Sequence, residues 1–290
     1  MSKVITRREF FRTSGACVVA AGLSAGLPAQ GKDNAVERMP QIQLGSLRVS
    51  RLILGSNQFF GFSHMSRARD LAMREYFTDE RILAFLDDAA DLGINSVSML
   101  PSPRWYVLWK RYSTSGGRMA AWISQPMGKT DEAMIRDIEE SAQNGAKAIY
   151  IQGNQVERRF NHGEGELLRS WIERIKKCGV AAGLASHRPH ILPECEKRGY
   201  GADFYFQCCY IPDSFKSAQR DRAMETIRQL PKPVVAYKVM AAARNKPDEA
   251  FEYVFRHLRA GDGVCVGAFP KDKAGILEEN VARVLKHSGR

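Results

Sequence analysis

Short apolar runs recur along this chain at 51–56, 94–99, 119–124, 147–152, 180–185, 203–209, 233–239 and 263–267. Each is rich in β-branched, aromatic or small residues and lacks polar alternation. That is the pattern of strands buried on both faces of a parallel sheet. Between them lie amphipathic stretches of helical period at 79–92, 103–112, 131–143, 165–177, 190–198, 217–229, 247–260 and 275–287. In 79–92 the apolar residues Ile82, Leu83, Phe85, Leu86, Ala89 and Ala90 fall on one stripe. Thr78-Asp79 and Thr130-Asp131 offer capping oxygens at helix starts. Gly93, Gly145, Gly179 and Gly261 follow helix ends, where a left-handed closing residue is favoured.

This alternation predicts a (β/α)8 TIM barrel. An open doubly wound sheet is disfavoured, because no G-x-G-x-x-G turn follows any of the runs. Residues 41–50 (QIQLGSLRVS) read as a β-hairpin ahead of the barrel. The expected organisation is a leader at 1–29, a polar tether at 30–40 and one barrel domain at 41–290.

The leader carries Arg7-Arg8 before Phe10-Phe11 and a short apolar run from Gly15 to Ala29. The run is too short for a permanent membrane span. It resembles a twin-arginine export signal, which implies the export machinery as a partner and a periplasmic or extracytoplasmic destination.

The 290 residues carry a formal charge of +11, with basic residues interspersed among acids. No continuous basic face with stacking aromatics points to nucleic acid. Beyond the leader the cysteines are Cys178, Cys195, Cys208, Cys209 and Cys265. Their spacing suggests neither a zinc site nor a disulfide framework.

Three segments resemble the aldo/keto reductases: "IQLGSLRVSRLILGSNQFFGFS", "ILAFLDDAADLGINSV" and "VCVGAFPKDKAGILEENVARVL". The first matches the hairpin and opening strand of that family, the second its first helix and second strand. The third matches the strand, phosphate-binding turn and helix that hold a nicotinamide cofactor. The resemblance therefore implies NAD(P)H as a possible cofactor, with Gly267, Lys271, Lys273, Glu279 and Asn280 as its contacts. The family's catalytic residues are not carried over. Ser98-Met99-Leu100-Pro101 stand where an aspartate is expected, Gln125 where a lysine is, and Gln152 where a histidine is. Tyr106 lies near the position of the proton-donating tyrosine but within an aromatic helix pattern.

In such a barrel the C-terminal strand ends face the active site. The polar residues expected there are Asn57, Gln58, Gln125, Gln152, Asn154, His187, Tyr210 and Lys238. Amides orient hydroxyls and polarise carbonyls without moving protons, which suits a sugar-like small-molecule substrate. The titratable members are His187 and Lys238, the candidate catalytic residues. A lysine inside a barrel wall would lose hydration and could act as base or Schiff-base nucleophile. Arg244 is a candidate for a substrate anion. His64 and Arg67 read first as a solvated loop, with closure over the mouth as the alternative. Trp105, Tyr106 and Trp109 have the spacing of helix packing. Glu157 and Glu164 read as residues of a loop after the fourth strand. No strand ends in the paired carboxylates of a glycosidase, and no set of metal ligands gathers there.

Three readings remain open. One is an acid–base or Schiff-base enzyme of lyase, isomerase or hydrolase type. Another is a nicotinamide-dependent carbonyl oxidoreductase with a rebuilt proton donor from Lys238 or Tyr210. The third is a carbohydrate-binding barrel without chemistry.

Overall fold

The computed structural model describes residues 39–211 and 215–288. The expected leader at 1–29 and all of the tether except Met39 and Pro40 lie outside the described residues. Met39 is buried, and the Pro40 carbonyl accepts the Arg51 N–H at 2.7 Å, so both belong to the folded body.

Strands β1 (Gln41–Leu44) and β2 (Leu47–Ser50) pair antiparallel as the expected hairpin. The barrel strands follow: β3 (Leu52–Gly55), β4 (Ser96–Met99), β5 (Ala121–Ser124), β6 (Ala148–Ile151), β7 (Ala181–Ser186), β8 (Phe204–Cys208), β9 (Val234–Tyr237) and β10 (Gly263–Val266). They run parallel and close in sequence order, β10 pairing with β3. The (β/α)8 barrel and its N-terminal hairpin are therefore present.

Helices α1 (Arg67–Tyr76), α2 (Asp79–Asp91), α3 (Pro103–Thr114), α4 (Asp131–Gln143) and α5 (Gly153–Asn161) surround one side of the barrel. Helices α6 (Gly165–Lys177), α7 (Ile191–Lys197), α8 (Ser217–Gln229), α9 (Pro247–His257) and α10 (Ile276–Ser288) complete the ring. A 3-10 turn, Asn57–Phe60, follows β3. Among the described residues, no helix is long and apolar enough to cross a membrane.

Alternation along the strands separates two apolar cores. Inside the barrel lie Ile53, Ile123, Tyr150, Phe204, Phe206 and Val235, joined from below by Ile42, Leu44 and Val49 of the hairpin. The hairpin thus plugs the N-terminal end of the barrel. Gly45 at its turn (φ 57°) passes so close to β7 that an added Cβ would lie 2.9 Å from that of Ala181. Outward residues such as Leu54, Trp122 and Leu184 meet the helices. Trp105, Trp109 and Trp122 pack together, with Trp105–Trp109 centroids 5.4 Å apart. Packing is thus the role of the tryptophans in that stripe.

Two helices arise where the pattern suggested loops. Helix α1 is mostly polar on its solvent side. Helix α5 replaces the expected loop holding Glu157. Gln152 caps it, its Oε1 accepting the Asn154 N–H at 3.0 Å, and Val156 is fully buried. Arg159 fills an inner position by laying its guanidinium over Trp171, 5.5 Å from the ring centroid. Glu164 and the Lys129 carbonyl bind that guanidinium at 2.6 and 2.8 Å. A cation so seated occupies a place that the apolar pattern assigns to a hydrophobe.

Candidate active site

His187 directly follows β7, and alternation from Ala185 turns it toward the barrel axis. Its ring meets Tyr237, which ends β9, edge to face at 5.8 Å between centroids. Glu157 reaches His187 from α5. One carboxylate oxygen, Oε1, lies 3.0 Å from His187 Nδ1 and accepts the His187 backbone N–H at 2.5 Å and the Ser186 hydroxyl at 3.1 Å. Burial alone would raise the Glu157 pKa, but the hydrogen bonds and charge of His187, with the Ser186 hydroxyl, hold it below its ordinary value. The pairing places Nδ1–H against the carboxylate, and no partner for Nε2 is found among the described residues. Gly153 permits this arrangement. A Cβ there would lie 3.0 Å from His187 Cε1 and Nδ1.

Beside His187 the barrel floor is aromatic and thiol-lined. Cys208, Tyr237 and Cys265 occupy one register row across β8, β9 and β10. The Cys208 thiol donates to the Tyr210 carbonyl at 2.7 Å. Burial pushes the Cys208 thiol up to about 12 despite the nearby Lys238 charge, and burial does the same to Cys265. Both are protonated at neutral pH and unsuited as nucleophiles. The Tyr237 phenol is raised well above its ordinary value by burial first, then by Cys208, Glu157 and Tyr150. Tyr150 stacks on Phe206 with centroids 4.1 Å apart, and its hydroxyl lies 2.8 Å from Ser98 Oγ. Tyr237 was missed as a site residue because it closes an unbroken apolar run, VVAY.

Lys238 stands beyond the end of β9, not within the wall as expected. It sits at the rim in a left-handed conformation (φ 56°), half-buried. Its Nζ lies 3.1 Å from Nε2 of His64, itself left-handed. Arg244 donates to the His64 carbonyl at 3.2 Å and to the Ala241 carbonyl at 3.1 Å, with its guanidinium 4.3 Å from the Phe215 ring centroid. The loop after β3 is thus clasped to the loop after β9, and His64 takes part in that clasp. Arg67 opens α1 and is exposed. Asp70 fixes the loop before His64 by accepting the Ser63 N–H at 2.9 Å and the Ser63 hydroxyl.

The amide ring forms only in part. Gln125 and Gln152 continue the inward alternation of β5 and β6 and are half-buried, although the Gln152 oxygen is engaged in its cap. Asn57 and Asn154 are exposed at the rim. Gln58 is buried, donates to the Gly55 carbonyl at 2.6 Å, and sits against Gly267, where an added Cβ would lie 2.5 Å from its oxygen. Tyr210 is also buried and accepts from Asn245 Nδ2 at 2.8 Å. Gln58 and Tyr210 therefore brace the loops and leave the mouth to others. A cleft of ≈190 Å³ is lined by Leu100, Pro101, Met127, Gly128 and Asp137. Asp137 is raised above its ordinary value by burial, against the N–H groups of Met127 and Gly128.

The residues named for a nicotinamide cofactor do not assemble into a phosphate cradle. Lys273 is paired with Glu279 at 2.5 Å, and Glu279 also receives Arg283 at 3.0 Å. Lys271 lies 5.7 Å from the Tyr76 ring centroid. Asn280 is buried, with its side-chain oxygen 3.4 Å from Arg283. Gly267 is spent on Gln58. The first turn of α10 already carries Glu278 and Glu279, which satisfy its positive end.

No family model and no curated protein matches the chain. Among solved structures, it is similar to a candidate aldo-keto reductase from Pseudomonas aeruginosa at 20% identity and TM-score 0.59, covering 85% of this chain and 95% of that one. A thermostable aldo-keto reductase crystallised with the inhibitor epalrestat matches at 13% identity and TM-score 0.58, covering 87% and 98%. A truncated 3-deoxy-D-arabino-heptulosonate 7-phosphate synthase from Thermotoga maritima matches at 14% identity and TM-score 0.55, covering 88% and 92%. At these identities the likeness is one of fold: the chain is a (β/α)8 barrel whose structural neighbours include aldo-keto reductases and a synthase.

Proposed function

We propose that the barrel mouth is the active site of an enzyme that moves protons on a small hydroxy-carbonyl substrate such as a sugar. The observation that carries this reading is the grip of Glu157 on His187. A carboxylate that holds Nδ1–H fixes the tautomer and leaves Nε2 as a base or acid at the mouth. Nε2 would take a proton from a carbon or hydroxyl beside the carbonyl and return it elsewhere. The Lys238 ammonium, released from His64, would hold the oxygen on which negative charge develops. Gln125 would orient hydroxyls. Proton transfer of this kind is shared by isomerases and lyases.

The export reading rests on Arg7-Arg8 and the apolar run that follows. It is tested by the location and N-terminal mass of the protein in a bacterial host.

The test of the chemistry is hydrogen exchange from deuterium oxide into a panel of aldoses and ketoses, followed by NMR. Exchange at the carbon beside the carbonyl is expected, with His187→Asn reducing it by about a thousandfold and Lys238→Met also impairing it. Exchange unchanged in His187→Asn would overturn the assignment. Saturable NADPH binding that depends on Lys273 and Asn280 would instead favour the nicotinamide reading.

A further inference from the structure

Two rings touch at the centre of the mouth, and the residue following each is a cation. His187 and Tyr237 meet at 5.8 Å, with Arg188 next to the first and Lys238 next to the second. Arg188 grows from a rigid turn. Its N–H donates to Ser186 Oγ at 2.9 Å, its carbonyl lies 3.1 Å from the same hydroxyl, and that hydroxyl also contacts Glu157. Pro189 restricts Arg188 to extended backbone, and the Pro189 carbonyl is pinned by Thr226 Oγ1 at 3.0 Å. The Arg188 side chain is exposed, and no carboxylate pairs with it among the described residues.

The surrounding rim adds little compensating charge. Arg244 is bound to carbonyls and stacked on Phe215. Glu157 is committed to His187, Asp70 to Ser63, and Asp272 to Arg69. Asp213, after β8, lies outside the described residues. The Arg188 backbone is held next to the acid–base group while its long side chain is exposed and without a carboxylate among the described residues, and its planar fork matches a carboxylate or phosphate on a ligand.

We infer that the substrate is an anion, a sugar acid or sugar phosphate, and that Arg188 is the residue that reads its charge. The inference rests on the mouth being the active site. It adds a specificity that the His187–Glu157 pair alone does not give, because a neutral sugar leaves Arg188 without a partner. Lys238 would lend the anion longer-range attraction from the other side of the ring pair.

The experiment compares binding of D-glucuronate, D-glucose 6-phosphate and D-glucose to the full chain at low ionic strength, by calorimetry. At least one anion is expected to bind about tenfold more tightly than glucose, with the preference falling as salt rises. Arg188→Met should erase the preference and leave glucose binding unchanged, and Arg188→Lys should restore part of it. His187→Asn should keep the preference while losing proton exchange, which separates failure of charge recognition from failure of the catalytic assignment. Preference for glucuronate over the phosphate, or the reverse, identifies the anionic group. Equal affinity for all three sugars, no binding of either anion, or a preference that survives Arg188→Met would overturn the inference.

Discussion

The two ends of the barrel solve opposite problems. At the N-terminal end the hairpin fills the opening with Ile42, Leu44 and Val49, and the charges there are mutually satisfied. Arg51 is buried and donates to three carbonyls, those of Asp262, Ser288 and Arg259, at 2.9, 3.1 and 2.8 Å. Asp262 is wholly buried and accepts from the Val234 N–H and from the backbone and guanidinium of Arg259. At the C-terminal end the loops keep exposed amides, a rim lysine, and four residues between Lys238 and Ala243 in left-handed backbone. One end is closed and its charges are internally paired, while the other leaves polar groups at an open rim, where the proposed function puts the ligand. In barrels of this kind that division separates stability from chemistry.

The largest effect that would sharpen this contrast is expected at Asp262. Asp262→Ala strands the buried Val234 N–H and takes the carboxylate from Arg259, whose guanidinium keeps only the Leu230 and Lys232 carbonyls. The expected cost is about 3 kcal/mol or more, read as a lower denaturant midpoint, whereas His187→Asn, which loses the ring's bond to Glu157 but keeps the backbone one, should cost only about 1–2 kcal/mol. Equal losses for the two variants would break the division between the ends.

Glu157→Gln tests the mouth by pH. The Glu157 pKa is held below its ordinary value in the folded protein. Its contribution to stability is therefore present above the unfolded glutamate pKa, about 4.3, and is lost as pH falls through the lower folded value. The wild type should exceed Glu157→Gln by about 1–2 kcal/mol at pH 6 to 7, and the gap should close under acid. A gap independent of pH would show that the carboxylate charge is not what orients His187.

The fold was legible because strand and helix periods differ, and the barrel strands are short apolar runs closed by glycines and caps. Where each strand faces was not legible. Runs such as AIYI and VVAY are apolar on both sides, so nothing marks Tyr150 or Tyr237 as inward and Leu184 or Ala236 as outward. His187 was readable as a polar residue at a strand end. Its partner Glu157 was not, because α5 has few apolar positions and spends one on Arg159, whose guanidinium replaces a hydrophobe against Trp171. The signal that could have found it is the cap at Gln152, which starts a helix and places Glu157 one turn in. Gln58 and Tyr210 were misplaced for the converse reason: polar side chains near strand ends can be consumed by the loops they support.

The smallest effect concerns the strain stored at the mouth. Ala241, Ala242 and Ala243 all have left-handed backbone, with φ of 47°, 53° and 62°. Each costs roughly 1 kcal/mol, because Cβ crowds the following carbonyl. The cost persists because Arg244 and Asn245 tie the turn to the loop after β3, to Tyr210 and to Val239. Ala242→Gly removes the Cβ and relaxes the turn, but it also frees the unfolded chain. The net expectation is stabilisation of under about 1 kcal/mol, measured as a small rise in thermal midpoint. If the turn is strained to hold Lys238 against the substrate, the same variant should lower turnover while raising stability. Stability and turnover rising together would mean that the strain serves the clasp alone.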